Sequence, residues 1–269
     1  MEEIKTKNIS EDKDEKLSLP AKENKKGFFT EGGIFSILSI FAVAFLISFF
    51  VFQVFMVPIK VVGSSMQPTL NMQIESETDE NHSDIVYYHK QKSYKNDDIV
   101  IIENKNKAYV NNSSVNFIIK RIIACPGQTI TFFVTDTDTS EFLNTVYYYD
   151  VLVKDKNGNV INLDDSYLSS KNKMKFSESD YLYLSTSNES PILAEIYKGL
   201  MNEYSTNAHT YSITLGKNEY FVMGDNRNNS EDSRYFGTVK NNTIAGKVLL
   251  QVDYGKNVWQ AIWKKITNK

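Results

Sequence analysis

The 269 residues, 41% hydrophobic and 23% charged, are long enough for one or two domains with a real core and too polar for a multi-span membrane protein. Thirty Lys and Arg against thirty-three Asp and Glu leave a net charge of −3, and no basic block interleaved with aromatics marks a nucleic-acid partner. The single cysteine, Cys125, excludes an intramolecular disulfide and a multi-cysteine centre; His82, His89 and His209 stand at no metal-ligand spacing, so no metal site is expected.

Met1 to Gly33 holds seven lysines and eight acidic residues and reads as a solvated, disordered tail. Ile34 to Val57 then runs 24 residues without a charge. As a helix that stretch covers about 36 Å, enough to cross a bilayer core of roughly 30 Å. It is longer than the apolar region of a cleavable signal and follows a polar leader, so it reads as an uncleaved anchor. Lys22, Lys25 and Lys26 crowd its N-terminal flank, whereas Lys60 stands alone just beyond it. The positive-inside rule therefore puts the tail in the cytoplasm and the remainder outside.

Beyond the anchor, short runs rich in Ile, Val, Tyr and Phe alternate with Asn, Asp, Gly and Ser clusters. Strands are predicted at 84–88, 98–102, 117–124, 129–134, 146–153, 219–223 and 246–252, giving a mainly β domain. Residues from about 135 to 216 carry no chemical motif, with one helix predicted near Pro191 to Tyr204, and read as an insertion. Trp259, Ile262, Trp263 and Ile266 recur at helical spacing beside Lys264 and Lys265. That pattern reads as a short helix packed on the domain, or as a membrane contact through tryptophans and lysines.

Three segments hold the chemistry. In Gly63-Ser64-Ser65-Met66-Gln67-Pro68-Thr69-Leu70, glycine permits close backbone approach and proline stiffens the exit from a turn that can expose a serine hydroxyl. In Phe117-Ile-Ile-Lys120-Arg121-Ile-Ile-Ala124, strand alternation sets Lys120 on one face with Ile118, Ile122 and Ala124, and Arg121 on the other. Burial there lowers an ammonium pKa and frees an amine that can take a serine proton; a lysine snorkelling from a strand edge is the other reading of that segment alone. In Gly224 to Gly237, Asp225, Arg227, Asp232 and Arg234 offer opposite charges at short spacing, and Ser230 can hydrogen-bond a buried amine.

Together these segments resemble the type I (leader) signal peptidases, membrane-anchored serine proteases with a Ser-Lys dyad, in a form like the Gram-positive ones. Ser65 to Leu70 matches the nucleophile box Ser-Met-x-Pro-Thr-Leu, Lys120 to Gly127 the base box, and Gly224 to Gly237 every fixed position of the Gly-Asp-Asn-Arg-x-x-Ser-x-Asp-Ser-Arg-x-x-Gly box. Asp98-Ile-Val100 and Ile244-Ala-Gly-Lys247 resemble two further family segments. The resemblance implies Ser65 as nucleophile, Lys120 as general base, Ser230 orienting the amine, and Arg121, Asp225, Asp232 and Arg234 supporting the site through ion pairs. The Ser65 N–H would donate to the oxyanion, and Gly63 stands where some members place a second donor. Departures are Asp97 for Gly, Ala124-Cys125 for Gly-Leu, Gln128 for Asp, and an extra stretch from Asn71 to Ser83.

The resemblance also implies cleavage of signal peptides from exported precursors after small-x-small sites, with Val61 and Val62 expected to line the pockets for the small side chains. No cofactor is expected; the bilayer and the secretion translocon are the expected partners besides the precursors. The expected organisation is a cytoplasmic tail at 1–33, a transmembrane helix at 34–57, a catalytic β domain from 58–134 and 217–255, an inserted region at 135–216 and an amphipathic tail at 256–269. Two other readings stand beside it: a peptidase dedicated to a few surface or pilus substrates, and a non-proteolytic assembly factor on the same scaffold.

Overall fold

The computed structural model describes residues 31–74, 76, 79, 81–110, 115–140, 144–168, 173–187, 189–202 and 209–267. The expected disordered tail lies outside the described residues apart from 31–33. Two compact units divide between Val51 and Phe52. The first is dominated by helix α1 (Glu31–Phe55), whose stretch Gly33–Phe50 has a mean hydropathy of 2.5, none of it buried, and is long and apolar enough to cross a membrane. α1 stops two residues short of the expected end because Pro58 disfavours helix at Val57, which opens a strand instead.

The second unit follows the order β1 (Val57–Lys60), β2 (Ile85–His89), β3 (Ile99–Glu103), β4 (Phe117–Ala124), β5 (Thr129–Asp138), β6 (Val146–Lys154), β7 (Val160–Ile161), β8 (Met174–Ser177), α2 (Glu178–Ser187), α3 (Pro191–Leu200), β9 (Thr210–Thr214), β10 (Glu219–Met223), α4 (Ser233–Phe236), β11 (Val239–Lys240), β12 (Ile244–Val252) and α5 (Val258–Thr267). The fold is mainly β, with one apolar helix ahead of it. Seven strands form an antiparallel sheet in the order β1-β2-β12-β3-β4-β10-β11. β4 lies between β3 and β10 and buries every residue but Phe117, which is why it reads as an apolar run broken only by Lys120-Arg121.

Strand alternation holds along most of β4. Ile118 and Ile122 pack with Val100, Ile102, Tyr220 and Val222, while Ile119 packs with Met66, Leu70, Val86 and Ile101. It breaks where β4 meets β10, because the register jumps from the Val222–Ile122 pair to the Phe221–Ala124 pair. Ile123 and Ala124 consequently both join the core of the second sheet, so Ala124 does not share a core with Ile118 and Ile122 as strict alternation predicts.

That second sheet has the order β7-β6-β5-β9, with β8 added to β6. Phe132, Tyr149, Met174 and Phe176 pack there against Leu193, Ile196 and Leu200 of α3. The region read as an insertion thus supplies most of a second sheet, and β5, which belongs to that sheet, runs straight through residue 134.

Two of the departures find local explanations. Asp97 takes φ +67, in the left-handed region that glycine favours and that Asp tolerates. Gln128 folds back on its own turn, its carbonyl accepting from the Cys125 N–H at 2.7 Å and its amide exchanging hydrogen bonds with Asn96.

Candidate active site

The nucleophile box fills the loop after β1. Gly63 has φ +85, a conformation that side chains rarely adopt. Met66 and Leu70 drop into the core beneath, and the Leu70 N–H donates to the Met66 carbonyl at 2.9 Å. Asn71 closes the loop: its Nδ2 donates to the Val61 and Gly63 carbonyls at 2.8 and 3.1 Å, and its Oδ1 accepts from the Asp84 N–H at 2.8 Å. Asp84 answers by accepting from the Asn71 N–H at 2.9 Å. The extra stretch between them therefore leaves and rejoins the fold at a single clasp, which no motif in the sequence announces.

Ser65 stands half-buried, and the Lys120 Nζ donates to its Oγ at 2.9 Å. Lys120 is only 4% exposed, its strand partner being Val100 of β3. Burial pulls its pKa down to about 8, the carboxylates of Asp232 and Glu231 offsetting part of the effect. The snorkelling reading of Lys120 is thereby overturned. Cys125 is no competing nucleophile, since burial, with Asp98 and Asp97 nearby, pushes its thiol up to about 12.

The loop after β10 passes behind Ser65. The Asn226 N–H donates to the Ser65 carbonyl at 3.0 Å, its side chain donates to the Ser64 carbonyl at 3.3 Å, and Asn229 Nδ2 donates to Ser64 Oγ at 2.8 Å. Two buried ion pairs fix this loop. Arg121 grips Asp225 with Nε at 2.8 Å and Nη2 at 2.6 Å, and Thr69 Oγ1 donates to the same carboxylate at 2.5 Å. Arg234 grips Asp232 in the same two-pronged way, at 2.9 and 2.8 Å, while Asp232 also accepts from the Gly224 N–H at 3.0 Å and the Arg234 N–H at 3.2 Å. Burial pushes the Asp232 carboxyl up, yet Arg234, the Gly224 N–H and the Lys120 charge outweigh it and hold it below the ordinary range. Tyr167, from the region read as insertion, lies flat under Arg121, with the guanidinium carbon 4.0 Å from the ring centre.

Three expectations need correction. Ser230 Oγ makes no hydrogen bond and lies against Gly224, so it does not orient the lysine amine in this conformation. Val61 is 2% exposed and packs in the core with Met66 and Val86, because strand alternation turns it inward; only Val62, 51% exposed, offers a side chain to solvent. Arg227, noted for its charge alone, is buried and donates to the Tyr167 hydroxyl at 2.7 Å. Asn71, Asn226, Asn229 and Tyr167 act here without having been singled out; Asn226 and Asn229 stood inside the matched box and signalled only through it.

Gly224 lies tightly between the two loops. A Cβ there would overlap both the Ser65 carbonyl oxygen and Ser230 Oγ. Gly224→Ala is expected to push Ser65 off Lys120 and to lower kcat/KM for a cleavable substrate by about 10²-fold, since displacements near 1 Å cost that much. Steady-state kinetics on the purified full chain check this, with a thermal melt confirming that the variant folds.

A comparison of the sequence with known protein families matches the family described as signal peptidase, peptidase S26, over residues 34–252. The chain belongs to that family. Among curated signal peptidases, it is 31% identical to signal peptidase IB of Staphylococcus aureus strain COL, over 77% of this chain and 83% of the relative. It is 27% identical to signal peptidase I of Buchnera aphidicola, over 88% of this chain and 80% of that one. A crystal structure of a signal peptidase I from Enterococcus faecalis V583 is similar at 22% identity with a TM-score of 0.30, covering 59% of this chain and 98% of that one. The assignment to the signal peptidase family rests on the family match and the sequence relatives.

Proposed function

We propose that this chain is a membrane-bound type I signal peptidase, a serine endopeptidase that removes N-terminal signal peptides from exported precursors, with Ser65 as nucleophile and Lys120 as general base. The observation that carries the residue assignment is the 2.9 Å contact between a buried, pKa-lowered lysine amine and a half-exposed serine hydroxyl. Neutral Lys120 takes the Ser65 proton as Oγ forms a bond to the carbonyl carbon, and the negative oxygen is met by backbone donors that include the Ser65 N–H. Lys120 then returns the proton to the amide nitrogen as the C–N bond breaks, leaving an acyl-enzyme. A water that gives its proton to Lys120 opens the ester and frees the serine.

Small-x-small selection follows in this reading from shallow pockets beside the nucleophile, with Val62 the exposed candidate for their rim. Ser65 follows the end of α1 by ten positions in sequence, so α1 as an anchor tethers the catalytic loop near the bilayer that also holds the precursor's apolar segment, raising the local concentration of the scissile bond. The tail lies in the cytoplasm, the catalytic domain outside, and the secretion translocon delivers the substrate.

The test is incubation of the purified full chain with a secretory precursor, followed by mass spectrometry of both fragments, across a range of pH. A cut after a small-x-small site is expected, absent in Ser65→Ala. The logarithm of kcat/KM should fall with unit slope as pH drops below about 8, because the protonated amine cannot accept a proton. Unchanged cleavage by Ser65→Ala, or a rate that stays flat down to pH 5, defeats the assignment.

A further inference from the structure

The long region between β6 and β9 returns one short segment to the loops around Ser65. After β7, Ile161 and Leu163 pack against the core of the second sheet, and the chain then reaches the turn before β3. There the Asp164 N–H donates to Asp97 Oδ2 at 3.1 Å. Asp97 stands where the family pattern has glycine, which has no carboxylate to offer. Tyr167 follows and meets two arginines. The Arg121 guanidinium carbon lies 4.0 Å from its ring centre and that of Arg227 5.8 Å, with Arg227 Nη2 donating to the phenol oxygen at 2.7 Å.

Each arginine depends on that ring in its own way. Arg121 spends its edge elsewhere, Nε and Nη2 on Asp225 and Nη1 on the Asp97 carbonyl at 3.1 Å. Only the flat faces of its guanidinium remain, and the phenol ring covers one of them. Covering it keeps water from an ion pair whose attraction weakens in wetter surroundings. That pair adjoins Lys120 in sequence and reaches the loop of Ser65 through Thr69. Arg227 is 2% exposed, and its Nε and Nη1 have no acceptor among the described residues, so the Tyr167 hydroxyl is what holds its side chain in place. Its backbone belongs to the loop behind Ser65: the adjoining Asn226 N–H donates to the Ser65 carbonyl at 3.0 Å, and the Arg227 carbonyl accepts from Arg234 at 2.7 Å. Burial pushes the Tyr167 phenol up to about 12 against the pull of Arg227, so it stays neutral throughout the working range.

We propose that residues 162–168 form a strap by which the second sheet steadies the Ser65–Lys120 contact, with Tyr167 a positioning residue that acts through Arg121 and Arg227; this rests on the reading of Ser65 and Lys120 as the reacting pair. Leu163 holds one end of the strap in the second core and Asp97 pins its middle, so the ring is presented to both arginines at once. One arginine steadies the strand of the base and the other the loop behind the serine. A device of this kind works on geometry alone. Its loss slows the chemical step and leaves substrate binding and the titration of Lys120 where they were.

The experiment compares full-chain variants on a secretory precursor, well below their melting midpoints. Tyr167→Leu is expected to lower kcat on the order of 10-fold, a fraction of what a full 1 Å displacement costs, with KM within about 2-fold of wild type. Its acid limb should still fall near pH 8, as in wild type. Tyr167→Phe keeps the ring over Arg121 and should lose less. Asp97→Gly unpins the strap at a φ of +67 that suits glycine, so it folds; it should lower kcat in the same direction and add little to Tyr167→Leu, because both act through one strap. Hydrogen exchange of the 224–231 backbone, read by mass spectrometry, should quicken in Tyr167→Leu even on a Ser65→Ala background, where no turnover is needed. A Tyr167→Leu protein that melts lower yet keeps wild-type kcat and exchange overturns the inference. So does a raised KM with kcat unchanged, which would put Tyr167 on the path of the substrate. Equal cleavage by wild type and Ser65→Ala would sink the functional reading instead, and the positioning role with it.

Discussion

Lys120→Met is expected to abolish cleavage and to make the protein more stable. Removing a positioned general base costs about 10²–10⁴-fold in rate. The stability gain comes from the same burial that makes the lysine useful. A pKa lowered from 10.5 to about 8 corresponds to roughly 3 kcal/mol by which the folded protein disfavours the charged amine relative to the unfolded chain. Below about pH 8 the amine is protonated in both states and that cost is fully present. Between about 8 and 10.5 the unfolded chain still binds the proton while the folded protein has released it, so wild-type stability rises with pH across this window. Methionine fills a similar volume without the charge but forfeits the hydrogen bond to Ser65, so about 2–3 kcal/mol is the expected gain at pH 7. That is a shift of about 5–10 °C in melting midpoint. Thermal melts of both proteins at pH 7 and pH 10 decide the matter: the difference should be large at the lower pH and shrink at the higher. A variant that melts below wild type at pH 7 would show that the lysine is not held at a cost.

Arg121→Met should have the opposite sign and a larger size. It leaves the Asp225 carboxylate buried with Thr69 in place of a guanidinium, and removing one partner of such a pair costs about 3–5 kcal/mol. Burial by itself would lower the Arg121 pKa; Asp225, with its two hydrogen bonds and its charge, raises it instead, so the cation is held by that carboxylate. Activity falls as well, because the Thr69–Asp225 hydrogen bond ties the nucleophile loop to the loop after β10. The double variant Arg121→Met, Asp225→Leu is expected to recover most of the lost stability and little of the activity. Melting midpoints for the two singles and the double give the coupling energy directly. Single variants whose costs simply add would mean that the two side chains do not depend on each other.

The sequence made β4 legible as a strand because six apolar residues surround one Lys-Arg pair, and the depressed lysine follows once that company is buried; a strand edge stayed open until the structure set β4 between β3 and β10. Ion pairing in the loop after β10 was legible as charge spacing. Which arginine takes which carboxylate was not, because Arg121 and Asp225 are 104 positions apart and meet through the β4–β10 register. In the second sheet β5 and β6 were legible at 129–134 and 146–153, whereas β8 escaped because four residues in which Met174 and Phe176 alternate with Lys175 and Ser177 look like loop. Val61 was assigned to a pocket from nearness in sequence, and the alternation of extended backbone sent it to the core. Asn71 was invisible because its work is done on backbone carbonyls eight and ten residues back and on a carboxylate thirteen residues ahead.

The Asn71–Asp84 clasp also bears on how such a protein can change over generations. A segment whose two ends are stitched together can be lengthened, shortened or recharged at small cost, since closing a longer loop adds only about 0.6 kcal/mol for each doubling. Variation between positions 72 and 83 is thus insulated from the hydroxyl at Ser65, and a lineage can trial new surface there without retuning its chemistry.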